Sequence, residues 1–381
     1  MNNFTYYNPV KIAFGSGSIA QVADLIPSDV AVMILYGGGS IKKNGVYDQV
    51  VSALKNHRCV EFSGIEANPT YETLMQAVEK ARAENIGYLL AVGGGSVLDG
   101  TKFVAAAIPY KGDAWDIPMS QAKIDSAVPL GAVLTLSATG SEMNCFSVVS
   151  HKEKKLKKGW ANEKVYPQFS VLDPKVTYSL PDRQVLNGVV DPFVHVTEQY
   201  LTYPSQAMVQ DNFSEGVLRT LIHYGPRALS EKENYEVRSN LMWAASNALN
   251  GLIGSGVPQD WATHMIGHEL TVLYGLDHAQ TLAVVLPSLL RYKVDKKEEK
   301  LAQFAEAVWN IKDGSPREKA LGAIDRTEQF FRDVGVKTKL SEYSVAQDAP
   351  QVVASRLDSA ALGEHRDIKR DDIEAILKMA F

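Results

Sequence analysis

Cysteine is scarce in this sequence, and long uninterrupted apolar stretches are missing. Only Cys59 and Cys145 occur among 381 residues, and they lie far apart in the chain. A disulfide framework and a cysteine metal site are therefore not expected, and a reducing, cytoplasmic location is predicted. The most apolar late run, 282–290, contains Pro287 and is shorter than the about 20 residues that cross a bilayer. We expect a protein without a membrane anchor.

The sequence also lacks the positive charge that is typical of nucleic-acid binding. Its 39 lysines and arginines are outnumbered by 44 aspartates and glutamates, which gives a net charge of −5. This balance argues against nucleic acid as the main partner. One basic run is present at 152–158. We interpret it either as a solvated loop or as a contact to a cofactor phosphate.

Several common catalytic signatures are missing as well. Met265 follows His264, so the His-Glu-x-x-His of zinc proteases is not formed, and Gly-x-Ser-x-Gly does not occur. The glycine turn at 93–102 is not Gly-x-Gly-x-x-Gly, and it lacks the Gly-Lys-Ser/Thr of a P-loop. A zinc protease is therefore disfavoured, and a nucleotide site at this turn has to be argued from its structural context.

The first half of the chain alternates between short apolar runs and helical patterns. Predicted strands lie at 30–35, 86–92, 132–136 and 170–174, and predicted helices lie at 71–84 and 97–108. Glycine-rich turns follow the first two strands. Strand, turn and helix in repetition indicate a parallel sheet covered by helices, which is the architecture of an α/β dinucleotide-binding, Rossmann-like domain.

Helical periodicity dominates after residue 180. The predicted helices are 192–201, 207–224, 235–252, 258–273, 301–309, 318–334 and 371–379. We therefore predict a dinucleotide-binding α/β domain at 1–180 and an all-α, metal-binding domain at 181–381. The active site is expected in the cleft between them.

Three of the eight histidines fall within fifteen residues of each other. His264 and His268 are four residues apart and share one face of a helix. His278 follows a glycine break, so it returns to the same place from another element. Such a cluster is typical of a transition-metal site, although a single helical histidine is more often a packed core residue.

A second acid–histidine pair supports this interpretation. Asp191 and His195 are four residues apart on a predicted helix, and Glu198 follows one turn later. An aspartate with histidines forms an oxygen and nitrogen ligand set that suits zinc or ferrous iron. Glu198 is expected to be either a further ligand or a partner of a ligand.

The turn after the strand at 86–92 is suited to a pyrophosphate. Gly94, Gly95 and Ser96 open a helix, where free N–H groups and the positive end of the helix dipole favour an anion. The alternative is a plain tight turn. A hydroxyl- and amide-rich edge that is expected to line the same nucleotide comprises Thr135, Thr139, Ser141 and Asn144.

The turn after the first strand bears on the choice of cofactor. NAD-binding folds usually place an acid at this strand end to hold the ribose 2′-hydroxyl. Here Tyr36 is followed by three glycines, Ser40, Lys42 and Lys43, and the first acid is Asp48. This composition predicts NADP rather than NAD; the alternative is a turn with two solvated lysines.

These residues resemble a known family along essentially the whole chain. The matching motifs are Gly93-Gly94-Gly95-Ser96-x-x-Asp99-x-x-Lys102, Thr139-Gly140-Ser141-Glu142, Asp191-x-x-x-His195, and His264-x-x-x-His268 with His278. They resemble the iron-containing (group III) alcohol dehydrogenases. The stretches 36–40, 249–254 and 256–264 look most similar to the branch of NADPH-dependent butanol dehydrogenases and aldehyde reductases.

The resemblance implies roles for individual residues. The metal ligands are expected to be Asp191, His195, His264 and His278, which hold one Fe²⁺ or Zn²⁺ ion, and His268 is expected beside the nicotinamide and substrate. The predicted NADP(H) contacts are Gly37, Gly38, Gly39, Ser40, Asn68, Gly94, Gly95, Ser96, Asp99, Thr135, Thr139, Ser141, Asn144 and Lys157. The family is commonly dimeric or larger, and a homodimer is expected here.

The predicted function is an NADPH-dependent and metal-dependent alcohol dehydrogenase that acts mainly as an aldehyde reductase on small substrates. His268, or water ordered by it, is the predicted proton source. The alternatives are a glycerol or polyol dehydrogenase, a lyase like 3-dehydroquinate synthase, and a metallohydrolase. Two departures from the family stand out: Pro192, which predicts that a helix starts at Asp191, and a short segment at 111–126 that is expected to border the substrate entry.

Overall fold

The computed structural model describes residues 1–359 and 361–381. The chain divides into two compact units by its internal contacts. We refer to Tyr7–Pro181 with Lys232–Ser246 as the α/β unit, and to Met1–Tyr6, Asp182–Glu231 and Asn247–Phe381 as the helical unit. Among the described residues, no helix is both long and apolar enough to cross a membrane.

A six-stranded sheet forms the centre of the α/β unit. The strands in chain order are β1 (Lys11–Phe14), β2 (Val32–Tyr36), β3 (Cys59–Phe62), β4 (Tyr88–Gly93), β5 (Leu130–Leu134), β6 (Phe146–His151), β7 (Leu156–Ala161) and β8 (Phe169–Leu172). The sheet has the order β1-β8-β5-β4-β2-β3, and all of its neighbouring strands are parallel. The remaining two strands, β6 and β7, form an antiparallel hairpin.

Helices make up most of the remaining structure. They are α1 (Val22–Leu25), α2 (Ser40–Lys43), α3 (Val46–Ala53), α4 (Tyr71–Ala83), α5 (Gly95–Ala107), α6 (Asp182–Tyr200), α7 (Met208–Tyr224), α8 (Arg227–Ser230), α9 (Tyr235–Ala248), α10 (Ala262–Tyr274), α11 (His278–Tyr292), α12 (Val294–Ala307), α13 (Pro316–Asp333), α14 (Ala349–Arg356) and α15 (Arg370–Met379). The predicted α/β fold with a helical C-terminal part is confirmed.

The sheet is apolar on both faces because successive side chains of a strand point to opposite sides. In β4, Leu89 and Ala91 belong to one apolar cluster, while Leu90 and Val92 belong to another. All six residues of β4 are buried. A parallel sheet covered on both faces reads as a continuous hydrophobic run, which explains why the predicted strand and helix bounds of the first half lie within two residues of the observed ones.

Helix α6 differs from the prediction. It begins at Asp182 and runs through Pro192 to Tyr200, so a helix start at Asp191 is wrong. Proline in a helix interior loses one backbone hydrogen bond and crowds the carbonyl four residues earlier. The turns before it are nevertheless buried through Val185 and Val189, and burial of apolar side chains offsets the local cost.

The basic run at 152–158 is the turn of the β6–β7 hairpin together with the first residues of β7. The prediction of a simple loop is therefore only partly right. Lys152 donates to Glu66 and Lys154 lies over the ring of Trp115, 5.6 Å from its centroid. The segment at 111–126 contains a short 3₁₀ turn at Ala114–Asp116.

Candidate metal centre and nucleotide-binding turns

Three helices of the helical unit place the predicted metal ligands. Asp191 and His195 stand one turn apart on α6, in a stretch that is buried from Gly188 to Tyr200. His264 lies in the first turn of α10. His278 is the first residue of α11, because Asp277 and Gln280 form a capping box that fixes the start of that helix.

The ligand atoms converge on one oxygen. Asp191 Oδ1 lies 3.4 Å from His195 Nε2, 3.6 Å from His264 Nε2 and 3.6 Å from His278 Nε2. In a tetrahedral site with metal–ligand distances of about 2.1 Å, the ligand atoms are about 3.4 Å apart. The arrangement therefore has the spacing that a zinc or iron ion needs.

Two of these atoms indicate a cation site because they are buried without a hydrogen-bond partner. Asp191 Oδ1 and His264 Nε2 are buried and have no hydrogen-bond partner. An unsatisfied buried polar group costs about 1–3 kcal/mol. Because one atom is anionic and the other is a lone-pair donor, a divalent cation satisfies both. Asp191, His195 and His264 also form a group with ligand atoms within 4.8 Å of one another.

Glu198 orients His264. The Nδ1 of His264 is hydrogen-bonded to Glu198 Oε2, and the other carboxylate oxygen accepts a bond of 2.6 Å from the N–H of Thr263. A histidine that donates its Nδ1 proton keeps the lone pair on Nε2, which is the atom facing Asp191. Glu198 is therefore the partner of a ligand, which was one of the two roles that the sequence allowed.

Burial and charge shift the protonation of these groups in different directions. Burial lowers the pKa of His195 to about 4, despite the facing aspartate, so its imidazole is neutral. Burial also opposes the charged form of His264, but Glu198 and Asp191 outweigh it and raise its pKa to about 9, so a cation that binds Nε2 would replace the proton that this nitrogen otherwise holds at neutral pH. Burial raises the pKa of Asp191 less than the facing histidines lower it, so the aspartate is ionised.

His268 lies beside this cluster without joining it. Its ring centroid is 5.4 Å from that of His278 and 6.4 Å from that of His264. Its side chain is half-buried. His268 is therefore a neighbour of the four predicted ligands and not one of them. Its role in proton supply stays a prediction.

A buried charge network supports the start of α10, and the sequence reasoning missed it. Lys297 Nζ lies 2.8 Å from Asp260 Oδ2 and 2.6 Å from Glu364 Oε1. The other oxygen of Asp260 accepts from the N–H of Ala262 at 2.9 Å. The available signal was the position of Lys297, which stands four residues before the buried Leu301 on the apolar face of α12.

In the α/β unit, three of the predicted cofactor segments meet at one edge of the sheet. Gly37, Gly38 and Gly39 follow β2, with Ser40 opening α2; Gly94 follows β4, with Gly95 and Ser96 opening α5; and Thr135 follows β5. Since β2, β4 and β5 are parallel neighbours, these turns share the carboxyl edge, where α/β sheets bind their ligands.

The glycines of the second turn are required by close packing. A Cβ at Gly95 would stand 2.3 Å from Thr139 Oγ1, and a Cβ at Gly94 would stand 2.9 Å from Leu136 Cβ. Thr139 in turn accepts from the N–H of Ser141 at 3.2 Å. The first turn is less crowded: Gly39 needs its φ of +89°, whereas a Cβ at Gly38 would meet nothing within 4 Å.

Asn68 and Lys157, which are distant in sequence, lie together at this edge. The N–H of Asn68 donates to Ser96 Oγ at 3.3 Å, and Lys157 Nζ donates to Asn68 Oδ1 at 2.9 Å. The structure thus brings Lys157 of β7 to the turn after β4. A phosphate contact by Lys157 stays a prediction.

The remaining predicted contacts surround a buried lysine. Lys102 Nζ donates to Ser141 Oγ at 2.7 Å and to Asn144 Oδ1 at 3.0 Å. Ser141 Oγ donates to Asp99 Oδ1 at 2.6 Å. Burial lowers the pKa of Lys102 to about 8. Asp99, Ser141 and Asn144 therefore hold the loop in place around Lys102, a role that the sequence reasoning did not assign.

Two family models cover the chain. Residues 9–174 match the model described as iron-containing alcohol dehydrogenase, and residues 185–381 match the C-terminal model of the Fe-containing alcohol dehydrogenase family.

Individual relatives match over the full length. The chain is 54% identical over 386 residues to the NADPH-dependent aldehyde reductase YqhD of Escherichia coli (strain K12), with 100% of both chains covered. It is 38% identical over 384 residues to probable NADH-dependent butanol dehydrogenase 1 of Bacillus subtilis (strain 168), with 99% of each covered. The solved substrate- and cofactor-free form of the E. coli aldehyde reductase YqhD aligns with a TM-score of 0.94, 52% identity and 100% of both chains covered.

Proposed function

Because this chain belongs to the iron-containing alcohol dehydrogenase family, we propose that it is an NADPH-dependent aldehyde reductase that interconverts small aldehydes and primary alcohols. The observation that carries the proposal is the convergence of His195, His264 and His278 on one buried carboxylate oxygen of Asp191. One aspartate and three histidines are an appropriate ligand set for a divalent transition metal.

Asp191, His195, His264 and His278 would hold the metal. A bound divalent cation supplies Lewis-acid polarisation of a carbonyl group. Asp191 contributes one negative charge, and the neutral His195 contributes a lone pair. Glu198 fixes the His264 ring by accepting a hydrogen bond from its Nδ1–H group.

His268 is the proposed proton source. Its ring stands one turn beyond His264 on α10 and within 5.4 Å of the His278 ring. A half-buried imidazole at such a position is able to exchange protons with a substrate oxygen and with solvent.

The edge formed by the turns after β2, β4 and β5 would hold the dinucleotide. The pyrophosphate is proposed to lie against Gly94 and Gly95, where no Cβ fits. The adenosine ribose is proposed to lie at the turn after β2, near Gly38 and Ser40. The names of relatives include both NADPH- and NADH-dependent enzymes, so cofactor preference has to be argued from this turn. It carries a serine and two lysines instead of an acid.

The surroundings of the metal bear on the substrate. The Trp261 ring lies 5.4 Å from the His264 ring, and Met265 is 42% exposed, so apolar groups flank the ligands. Phe193, which lies between the ligands Asp191 and His195 in sequence, is instead buried against Phe330 and Phe331. This setting favours a small, weakly polar substrate over the phosphorylated sugar acid that a 3-dehydroquinate-synthase-like lyase would need. A homodimer in the cytoplasm remains our prediction from the sequence.

The test is consumption of NADPH by the metal-loaded protein. We expect butanal to be reduced with NADPH, glycerol to be oxidised more slowly with NADP⁺, and the substrate of 3-dehydroquinate synthase not to be turned over. Removal of the metal with a chelator is expected to abolish the reaction, and re-addition of Fe²⁺ or Zn²⁺ is expected to restore it. Turnover that does not depend on metal would contradict the proposed site.

A further inference from the structure

A carboxylate lies at the strand end where none was expected from the sequence. Glu61 is on β3, opposite Ile34 in the parallel β2–β3 pair. Its side chain therefore points to the same face as Ile34 and Tyr36 of β2. The hydroxyl of Tyr36, the last residue of β2, donates to Glu61 Oε2 at 2.7 Å. The acid is thus next to the turn that carries Gly38.

Glu61 accepts from three donors on three other elements, the first of which is Tyr36 of β2. Lys42 Nζ lies 3.1 Å from Glu61 Oε2, and the hydroxyl of Tyr47 donates to Glu61 Oε1. Lys42 is itself placed over two rings, 4.4 Å from the centroid of Tyr47 and 5.2 Å from that of Tyr36. We refer to Tyr36, Lys42, Tyr47 and Glu61 as the Glu61 cluster.

The cluster remains accessible to a cofactor. The side chains of Lys42 and Glu61 are 46% and 38% exposed. Tyr47 holds the pKa of Glu61 below its ordinary value, followed by Tyr36 and Lys42, so the carboxylate is ionised. One negative and one positive charge sum to zero, and each oxygen of the carboxylate already accepts a hydrogen bond.

We propose that Lys42 determines cofactor specificity by neutralising the carboxylate of Glu61, which lets the 2′-phosphate of NADPH bind where a free carboxylate would exclude it. The proposal rests on the proposed function, in which the adenosine ribose lies at the turn after β2. In dinucleotide-binding folds, an acid at such a strand end accepts from the 2′-hydroxyl of NADH and repels the 2′-phosphate. Lys42 and the two tyrosines keep Glu61 from doing either.

The test is a double-mutant cycle read as cofactor binding. The variants are Lys42→Met, Glu61→Gln and the double substitution. Dissociation constants for NADPH and NADH are measured by fluorescence titration of the metal-loaded protein. Lys42→Met exposes the charge of Glu61, so we expect NADPH binding to weaken on the order of tenfold, while NADH binding stays equal or tightens.

Adding Glu61→Gln to Lys42→Met removes the exposed charge. We expect the double variant to recover NADPH binding to within about threefold of wild type, because a neutral glutamine does not repel a phosphate. Glu61→Gln alone is expected to change NADPH binding by less than about threefold. If the double variant binds NADPH as weakly as Lys42→Met, Lys42 acts directly on the phosphate and the proposal for Glu61 is wrong.

Lys55→Met is the matched control. Lys55 follows α3, is exposed and carries the same charge, but it lies outside the Glu61 cluster and the turn after β2. An equal effect of Lys55→Met would reveal general electrostatics and overturn the proposal. The wild-type ratio of NADPH to NADH affinity tests the proposed cofactor separately: a preference for NADH refutes that function, whereas missing coupling between residues 42 and 61 refutes only this inference.

Discussion

At the scale of single residues, the two nitrogens of His264 divide the work of the metal centre. Nδ1 is hydrogen-bonded to Glu198, and Nε2 faces Asp191 at 3.6 Å. The ring cannot turn without leaving Oε2 of the buried Glu198 carboxylate without its partner, which is costly for a charged group. Its orientation is therefore set before any metal arrives.

The ligand residues give the first prediction. We expect Asp191→Ala and His264→Ala each to abolish metal binding and turnover, because each removes one of the converging ligand atoms. NADPH binding should be largely retained, since the predicted cofactor contacts lie in the other part of the chain. Metal analysis and NADPH titration check this. His223→Ala, which changes an exposed histidine of α7, is the control; a ligand variant with full metal content and turnover would refute the ligand set.

His268 gives the second prediction at this scale. We expect His268→Ala to keep its metal and lose about 10²–10⁴-fold in rate, as is typical of a lost general acid. The metal should be retained because the His268 ring stands beside the ligand rings without facing Asp191. The pH profile of kcat is the deciding measurement, because a packed structural histidine would leave it unchanged. An unaltered rate at neutral pH would assign His268 to packing.

At the scale of elements, the turn between β2 and α2 is the segment that bears on cofactor preference. Its three glycines are not equivalent. Gly39 has a φ of +89°, a conformation that side chains rarely adopt, and a Cβ at Gly37 would stand 3.1 Å from the carbonyl oxygen of Ile65. Gly38 has open space around it, so it is the position where a substitution tests chemistry and not packing.

We expect Gly38→Asp to reverse the preference from NADPH to NADH. The new carboxylate would accept from a 2′-hydroxyl and repel a 2′-phosphate. The change should appear mainly in KM, because the phosphate is remote from the reacting carbon and acts as uniform binding. Steady-state kinetics with both cofactors check this, with Gly38→Ala as the control for the added Cβ. Equal kcat/KM for the two cofactors in wild type would refute the predicted preference for NADPH.

Elements also explain what the sequence predicted and what it did not. The pair of Asp191 and His195 could be predicted from the sequence because i,i+4 spacing on one helix is a local pattern. The position of Glu61 could not be predicted, since only the pairing of β3 with β2 brings it to Tyr36 across 25 residues of sequence. The turn after β2 appeared free of acids for this reason.

Proline and lysine illustrate the limits of local propensity. Pro192 predicted a helix start, but the buried turn before it keeps α6 continuous. Lys102 ends the glycine-rich motif at 93–102. Nothing in the local sequence indicates that its ammonium is buried among Ser141, Asn144 and the carbonyl of Phe146. Tertiary contacts, which a periodicity does not record, decide both cases.

At the scale of the whole molecule, a few buried charges tie distant segments together. In the helical unit, Lys297 of α12 donates to the carbonyl of Leu201 after α6 at 2.7 Å, to Asp260 before α10, and to Glu364 between α14 and α15. Asp260 in turn donates its N–H to the carbonyl of Glu198 at 2.9 Å. The segment that begins the metal-binding helix α10 is thus fixed by one lysine.

Lys297→Met is expected to destabilise the protein strongly at neutral pH. Burial opposes the charge of Lys297, but Asp260 and Glu364 outweigh it and raise the pKa of this lysine. A raised pKa stabilises the folded state fully below the unfolded value of 10.5, and this stabilisation is lost as the pH rises through the folded value. Removing Lys297 leaves two neighbouring carboxylates without their cation, for which a cost of about 3–5 kcal/mol is expected.

The pH dependence of the stability loss distinguishes this charge effect from a simple loss of packing. As the pH falls, Asp260 and Glu364 take up protons, so the difference between Lys297→Met and wild type should shrink; a cavity would cost the same at every pH. Urea unfolding at neutral and mildly acidic pH measures this. Lys296→Met removes a neighbouring lysine that is 58% exposed and paired with Asp367, and it should cost far less than Lys297→Met because a surface ion pair is screened by solvent. A loss for Lys297→Met that is small, or that does not change with pH, would mean that the buried network contributes no more than a surface ion pair.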